Sequence, residues 1–184
     1  MRTAIRDFLR AAGIEIEGTE LEETPARVAR AWSSSFLDGY RADPAALFAE
    51  TYPVPAGPKS TVLLKAIPFH GLCPHHLLPF YGLAHLAYIP GKKLASLSSL
   101  ARLVDAYAHR LEIQETVTRQ IAEALTTHLK ATGAAVALET DQLCMTMRHP
   151  GRKGTRTVTQ HFTGSFARRS KLRIEFLKSL ESFE

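Results

Sequence analysis

The chain has 184 residues, 45 % of them apolar and 22 % charged, an ordinary balance for a folded domain long enough to bury a core. Its formal net charge is +5, with the excess gathered late, at 148–156 and 168–173, which suits an anionic ligand, although on charge alone a solvated basic surface is the reading favoured. Three classes are excluded: no apolar run approaches the ~18 residues that span a bilayer, no aromatic-interleaved basic platform marks a nucleic-acid reader, and two cysteines do not make a disulfide scaffold.

The segment from Met1 to Phe8 contains an acid and lacks a signal peptide's apolar core, so a cytoplasmic protein is expected. Residues 2–13 read as a short amphipathic helix. A longer helical region opens near Glu22, with Thr24 placed as its N-cap and Pro25 at the first helical position. Val28, Ala31, Trp32, Phe36 and Leu37 continue it at helical spacing. Three prolines and a glycine make 51–60 a connector, which divides an N-terminal helical region, 1–55, from a second domain, 56–184.

Beyond the connector the period changes. Residues 61–69 and 80–89 read as strands, 96–110 and 114–130 as amphipathic helices, and 134–148 and 155–167 as two further strands. The segment from Arg168 to Glu184 reads as an amphipathic helix with no assigned role. Strand pairs flanking a helical pair predict an α+β fold, a four-stranded antiparallel sheet with two helices on one face. Its two open edges need cover or partners.

The chemistry concentrates at Cys73-Pro74-His75-His76, in a short link between two strands. Cys-x-x-His spacing lets a thiolate and an imidazole reach one metal ion from a single turn. The other cysteine, Cys144, is distant in sequence. Three ligands from separate segments, with a fourth position open, is the pattern of catalytic rather than structural zinc. Water at such a position loses a proton near neutral pH. The competing reading treats His70, His75 and His76 as satisfied structural histidines. His75, beside a ligand, is suited to acid–base work; a histidine bonded to backbone and chemically idle is its alternative. Along an extended third strand, Gln142, Cys144, Thr146 and Arg148 alternate to one face, which makes Arg148 a candidate phosphate contact.

Taken together, Glu23-Thr-Pro-Ala-Arg-Val-Ala-Arg30, Phe69-His-Gly-Leu-Cys-Pro-His-His-Leu-Leu-Pro79, Arg110-Leu-Glu-Ile-Gln-Glu115, Cys144-Met-Thr-Met-Arg148 and Thr157-Val-Thr159 resemble GTP cyclohydrolase I, in that family's order and over nearly the whole chain. The resemblance implies the tunnelling fold: pentameric barrels stacked into a homodecamer, with active sites at subunit interfaces. It implies Zn2+ held by Cys73, His76 and Cys144, His75 as a catalytic histidine, and Glu115, with Gln114 beside it, reading the guanine edge of GTP. Ser98, Arg102 and Arg148 match positions on the ribose and triphosphate side, and Arg27 and Arg30 match basic positions reaching the phosphates. The implied reaction hydrolyses the guanine imidazole ring at C8 and yields 7,8-dihydroneopterin triphosphate and formate.

Three positions depart from the family pattern. Gln142 stands where the family has a second catalytic histidine, and an amide cannot exchange a proton near neutral pH. Pro74 replaces a glutamate, and Ser99 replaces a phosphate-binding lysine. His149 and His161 are sequence-near candidates to compensate for Gln142. The departures leave open a paralogue that stops at the ring-opened formamidopyrimidine nucleotide or takes another guanine nucleotide, and a non-catalytic zinc-binding oligomer.

Overall fold

The computed structural model describes residues 1–181; residues 182–184, the end of the predicted C-terminal segment, lie outside the described residues. Four long strands form the main sheet: β2 (Val62–Leu72), β3 (Pro79–Ile89), β5 (Gly133–Gln142) and β6 (Thr157–Thr163). They run antiparallel in the order β2-β3-β5-β6. A two-stranded ribbon pairs β1 (Thr51–Pro53) with β4 (Lys93–Ala95), so the predicted connector begins as a strand. Ahead of it lie α1 (Arg2–Ala11) and α2 (Thr24–Ala31), the latter continued by a turn of π-helix over Trp32–Phe36. Among the described residues no helix is long and apolar enough to cross a membrane.

Side-chain alternation builds two layers on the sheet. Ala84, Leu86 and Tyr88 of β3, with Ala134, Val136 and Leu138 of β5, face α3 (Leu97–Ala108) and α4 (Gln114–Thr127). Those helices contribute Leu100, Leu103, Val104, Val117, Ile121 and Leu125, all fully buried. Each such side chain contributes about 1.5–3 kcal/mol relative to exposure. Twelve- and fourteen-residue helices are marginal alone, so this face holds them. The intervening residues Ala87, Ala135 and Ala137 face the opposite way, against Phe166 and Phe176 of α6 (Gly164–Arg168) and α7 (Ser170–Glu181). The C-terminal segment therefore covers part of the sheet's second face, and Lys65 donates to the Ser179 carbonyl to tie β2 to α7.

Three local expectations are corrected. Thr24 is not a cap: the chain is already wound ahead of it, its N–H donates to the Leu21 carbonyl at 2.8 Å, and Glu23 takes the cap position without a side-chain bond. The third strand ends at Gln142 rather than 148, because the chain folds into a single helical turn, α5 (Leu143–Thr146). Thr146 Oγ1 closes that turn by donating to Asp141 Oδ1 at 2.8 Å. The fourth strand stops at Thr163 because Gly164, at φ +53°, turns the backbone into α6.

The β2–β3 register shifts between Leu64 and Ile67, with Ala66 at φ 54°. The Ala66 N–H donates to His85 Nδ1 at 3.3 Å, which requires that nitrogen unprotonated. Burial, and then the Lys65 ammonium, push the His85 pKa below its ordinary value, against Glu139. The unfolded chain thus binds more protons, so the contribution of neutral His85 is whole above pH ~6.5 and is lost as pH falls through the folded value. The thermal midpoint should fall from pH 7 to pH 5, and His85→Gln, which keeps an acceptor for Ala66, should flatten that fall. Equal slopes in both proteins would refute the assignment.

Candidate functional site

The β2–β3 connection is a closed turn. The Cys73 N–H donates to the Leu78 carbonyl and the Leu77 N–H to the Cys73 carbonyl, both at 2.9 Å. Pro74 sits inside without cost, because neither bond needs its missing N–H. The turn buries Cys73 and presents His75 and His76 at the surface. Cys73 Sγ lies 3.8 Å from Nδ1 of each histidine.

Cys144 reaches the same point from the end of β5, which lies at the same end of the sheet: Leu72 pairs with Pro79 and Phe80 with Gln142. It does so from α5, so Gln142, Cys144, Thr146 and Arg148 do not alternate along one strand face as predicted. One ligand atom from each of Cys73, His76 and Cys144 lies within 4.8 Å of the others. On a zinc tetrahedron with bonds of about 2.0–2.3 Å, ligand atoms stand roughly 3.5–3.8 Å apart, so this donor set fits a metal ion with little movement. Burial pushes the Cys144 thiol pKa up, and Cys73 beside it adds to the rise; Arg148 opposes it weakly. Two adjacent thiols ionise together only when a cation joins them.

The cluster opens onto a cleft of about 360 Å³. Cys73, His75, Gln142 and Cys144 line one side, and Glu112, Gln114 and Glu115 the other. Glu115 is exposed in the first turn of α4, where the helix dipole favours a carboxylate. Gln114 is buried, with its amide bonded to protein: Nε2 donates to the carbonyls of Leu138 and Thr157 and to Thr159 Oγ1. The loop ahead of α4 is held at three successive residues. His109 Nδ1 meets Asp38 Oδ1 at 2.9 Å, Arg110 Nε donates to the Gly39 carbonyl at 3.0 Å, and the Leu111 N–H donates to the Tyr40 hydroxyl at 3.2 Å. Leu111 also bridges to Leu72, next to Cys73.

Glu112 was not singled out by the sequence reading. It is a half-buried carboxylate on the same cleft, and its one signal was its place three residues before Glu115 at a helix start.

Of the phosphate-side candidates, all but Arg148, whose charge reaches Cys144, lie apart from the cleft within one chain. Ser98 is in the first turn of α3, whereas the cleft follows its last turn; at 1.5 Å per residue that is ~15 Å along the axis. Arg102 lines a different groove, with Asp38 and Asp105. Arg27 and Arg30 are exposed on α2, and Arg148 is exposed beyond α5. Ser99 is 5 % exposed, and its backbone N–H and hydroxyl both bond the N-cap hydroxyl of Ser96. It serves the helix start rather than a ligand. His149 is exposed; His161 lies in β6 opposite Val136, on a groove shared with Glu115 and Arg119.

Thiols and an imidazole brought together from two separate segments at one end of a sheet, with a carboxylate-lined cleft in place of a closing fourth ligand, define a metalloenzyme centre. The chain belongs to the GTP cyclohydrolase I family, whose model matches residues 1–181. GTP cyclohydrolase 1 of Ralstonia nicotianae is 40 % identical to it over 97 % of this chain and 84 % of its own. GTP cyclohydrolase 1 of Corynebacterium glutamicum is 43 % identical over 94 % of this chain and 87 % of its own. Among solved structures, the archaeosine synthase QueF-Like in the apo form aligns with 59 % of this chain and 98 % of its own at a TM-score of 0.49 and 16 % identity, too distant to bear on the assignment.

Proposed function

We propose that this protein opens the imidazole ring of GTP by hydrolysis at C8 and carries the product on to 7,8-dihydroneopterin triphosphate and formate. The observation that carries the reading is the Cys73/His76/Cys144 cluster opening onto the cleft that Glu115 shares. Glu115 accepts from the ring N–H and the exocyclic amine of guanine, two donors that a carboxylate matches. Cys73, His76 and Cys144 would hold a zinc ion, which would supply Lewis acidity and an activated water near neutral pH. His75, exposed beside Cys73, donates the proton that the opening ring nitrogen takes up and accepts one from the second attacking water. One water opens the ring; the next releases C8 as formate.

Ser98, Arg102, Arg148, Arg27 and Arg30 hold the ribose and phosphates. Since one chain leaves all of them but Arg148 apart from the cleft, neighbouring copies bring several of them to it. The strand edges of β2 and β6 are where copies join, as a tunnelling-fold homodecamer in the cytoplasm built from the N-terminal region, 1–55, and the catalytic domain, 56–184.

The test is mass spectrometry of GTP incubated with the zinc-loaded protein, with formate followed in parallel. Dihydroneopterin triphosphate with equimolar formate is expected. A formamidopyrimidine nucleotide without formate would limit the reaction to its first hydrolysis, and unchanged GTP would overturn the reading.

A further inference from the structure

The residue that stands where the family has a histidine is held in one orientation by chemistry alone. Gln114 is 3 % exposed, and its Nε2 lies 3.0 Å from the Leu138 carbonyl oxygen and 3.2 Å from that of Thr157. Carbonyl oxygens only accept, so the end of the amide that faces them is the NH2. Oε1 of Gln114 is therefore directed the other way. There it accepts from Thr140 Oγ1 at 2.5 Å and from Gln142 Nε2 at 2.8 Å. Thr140 Oγ1, having given its proton to Gln114, accepts the second N–H of Gln142 at 3.0 Å.

Both amide protons of Gln142 are thus taken up by the wall. The usual ambiguity between amide oxygen and nitrogen disappears, because reversing Gln142 would set two oxygens against each other at the Gln114 contact. Gln142 lines the cleft beside Cys144, and its Oε1 is not among the buried polar atoms left without a partner in the described residues. The end that remains for the cleft is the carbonyl oxygen.

We propose that Gln142 is a fixed hydrogen-bond acceptor in this cleft, and that Gln114 is the positioning residue that sets it. The pattern, N–H to the wall and a lone pair to the cleft, is the one a neutral histidine would present here. The difference is that an amide oxygen accepts a hydrogen bond without taking the proton. Gln142 accordingly orients an N–H of the nucleotide or an attacking water and leaves proton exchange to the other groups lining the cleft. The role rests on the proposed ring-opening reaction; the orientation does not.

Two measurements test the two parts separately. Neutron diffraction from deuterium-exchanged crystals should place both Gln142 deuterons toward Gln114 Oε1 and Thr140 Oγ1. An amide with its ND2 turned to the cleft would overturn the proposal whatever the activity. Kinetics on the zinc-loaded protein then test the role. Gln142→Met keeps the length of the side chain and removes the acceptor, while Gln114 Oε1 keeps the Thr140 proton. Turnover should fall about tenfold or more, the equivalent of one hydrogen bond made in the transition state, with KM for GTP within about threefold. Gln142→His, which has an N–H for the wall and a ring nitrogen for the cleft, should restore most of that loss. A methionine variant that turns over like the wild type would overturn the role. Wild-type protein inert toward GTP would instead sink the ring-opening reading, and the neutron result would still decide the orientation.

Discussion

A Cys144→Ser protein should lose its metal and its turnover together. Zinc measured by elemental analysis should drop from about one ion per chain to near zero, and product formation should fall at least about a thousandfold. A serine hydroxyl stays protonated near neutral pH and is a hard, weak donor where the site offers a thiolate, so two ligands remain where three converged. The fold should survive. Cys144 is half-buried on a one-turn helix, and its replacement is nearly isosteric, so the variant's thermal midpoint should match that of the metal-free wild type to within what ~1 kcal/mol of stability implies. That separates a lost metal from a lost structure. Full activity in metal-free Cys144→Ser protein would end the zinc mechanism.

The second large effect is expected at Glu115. On the proposed reading, Glu115→Ala should weaken GTP binding by at least about a hundredfold, because it removes together two charge-assisted hydrogen bonds to the guanine edge, each about 1.5–3 kcal/mol. Glu115→Gln should do nearly as badly, since an amide turns one acceptor into a donor facing guanine's own donors. Glu115 is exposed and makes none of the ion pairs among the described residues, so neither change should disturb the fold. Binding of GTP and ATP, measured by calorimetry with the wild type and both variants, checks this. The wild type should prefer GTP and the variants should lose that preference; an unchanged preference would remove Glu115 from the guanine site.

Much of this was legible in the residues, for physical reasons. The alternation along 80–89 and the helical spacing along 96–110 and 114–130 report burial on one face, and those elements formed where the pattern placed them. The local Cys-Pro-His-His segment carries its own turn, so Cys73 and His76 could be paired on spacing alone. Cys144 was harder. Residues 143–148 show no period that separates a strand from one turn of helix, and the winding of α5 depends on Asp141 receiving the Thr146 hydroxyl. Strand parity therefore does not describe 142–148, even though the three ligand atoms meet. The cover given by α6 and α7 was missed because a short amphipathic helix does not say which surface it finishes on. Ser99 looked like a lost phosphate contact, and its hydrogen bonds to the Ser96 cap are invisible without the backbone. The distance of Ser98 and Arg102 from the cleft follows from the length of α3, a quantity the sequence holds, but its meaning depends on where another copy of the chain stands.

The clasp between Asp38–Tyr40 and His109–Leu111 has a consequence for how this protein can change. A Cβ on Gly39 would stand 2.7 Å from the His109 carbonyl oxygen and 2.8 Å from that of Ala106, so the two backbones touch with no room to drift. The loop that delivers Glu112 and Glu115 is thereby cast against the N-terminal region as against a mould. Trimming that region away, or grafting in the equivalent stretch from a relative, would move the carboxylates and free His70 and His109, while among the described residues no hydrogen bond from that region holds Cys73, His76 or Cys144. On the proposed function, such a chimera would still collect its metal and yet misread its base, and its defect would be sought in the wrong half of the molecule.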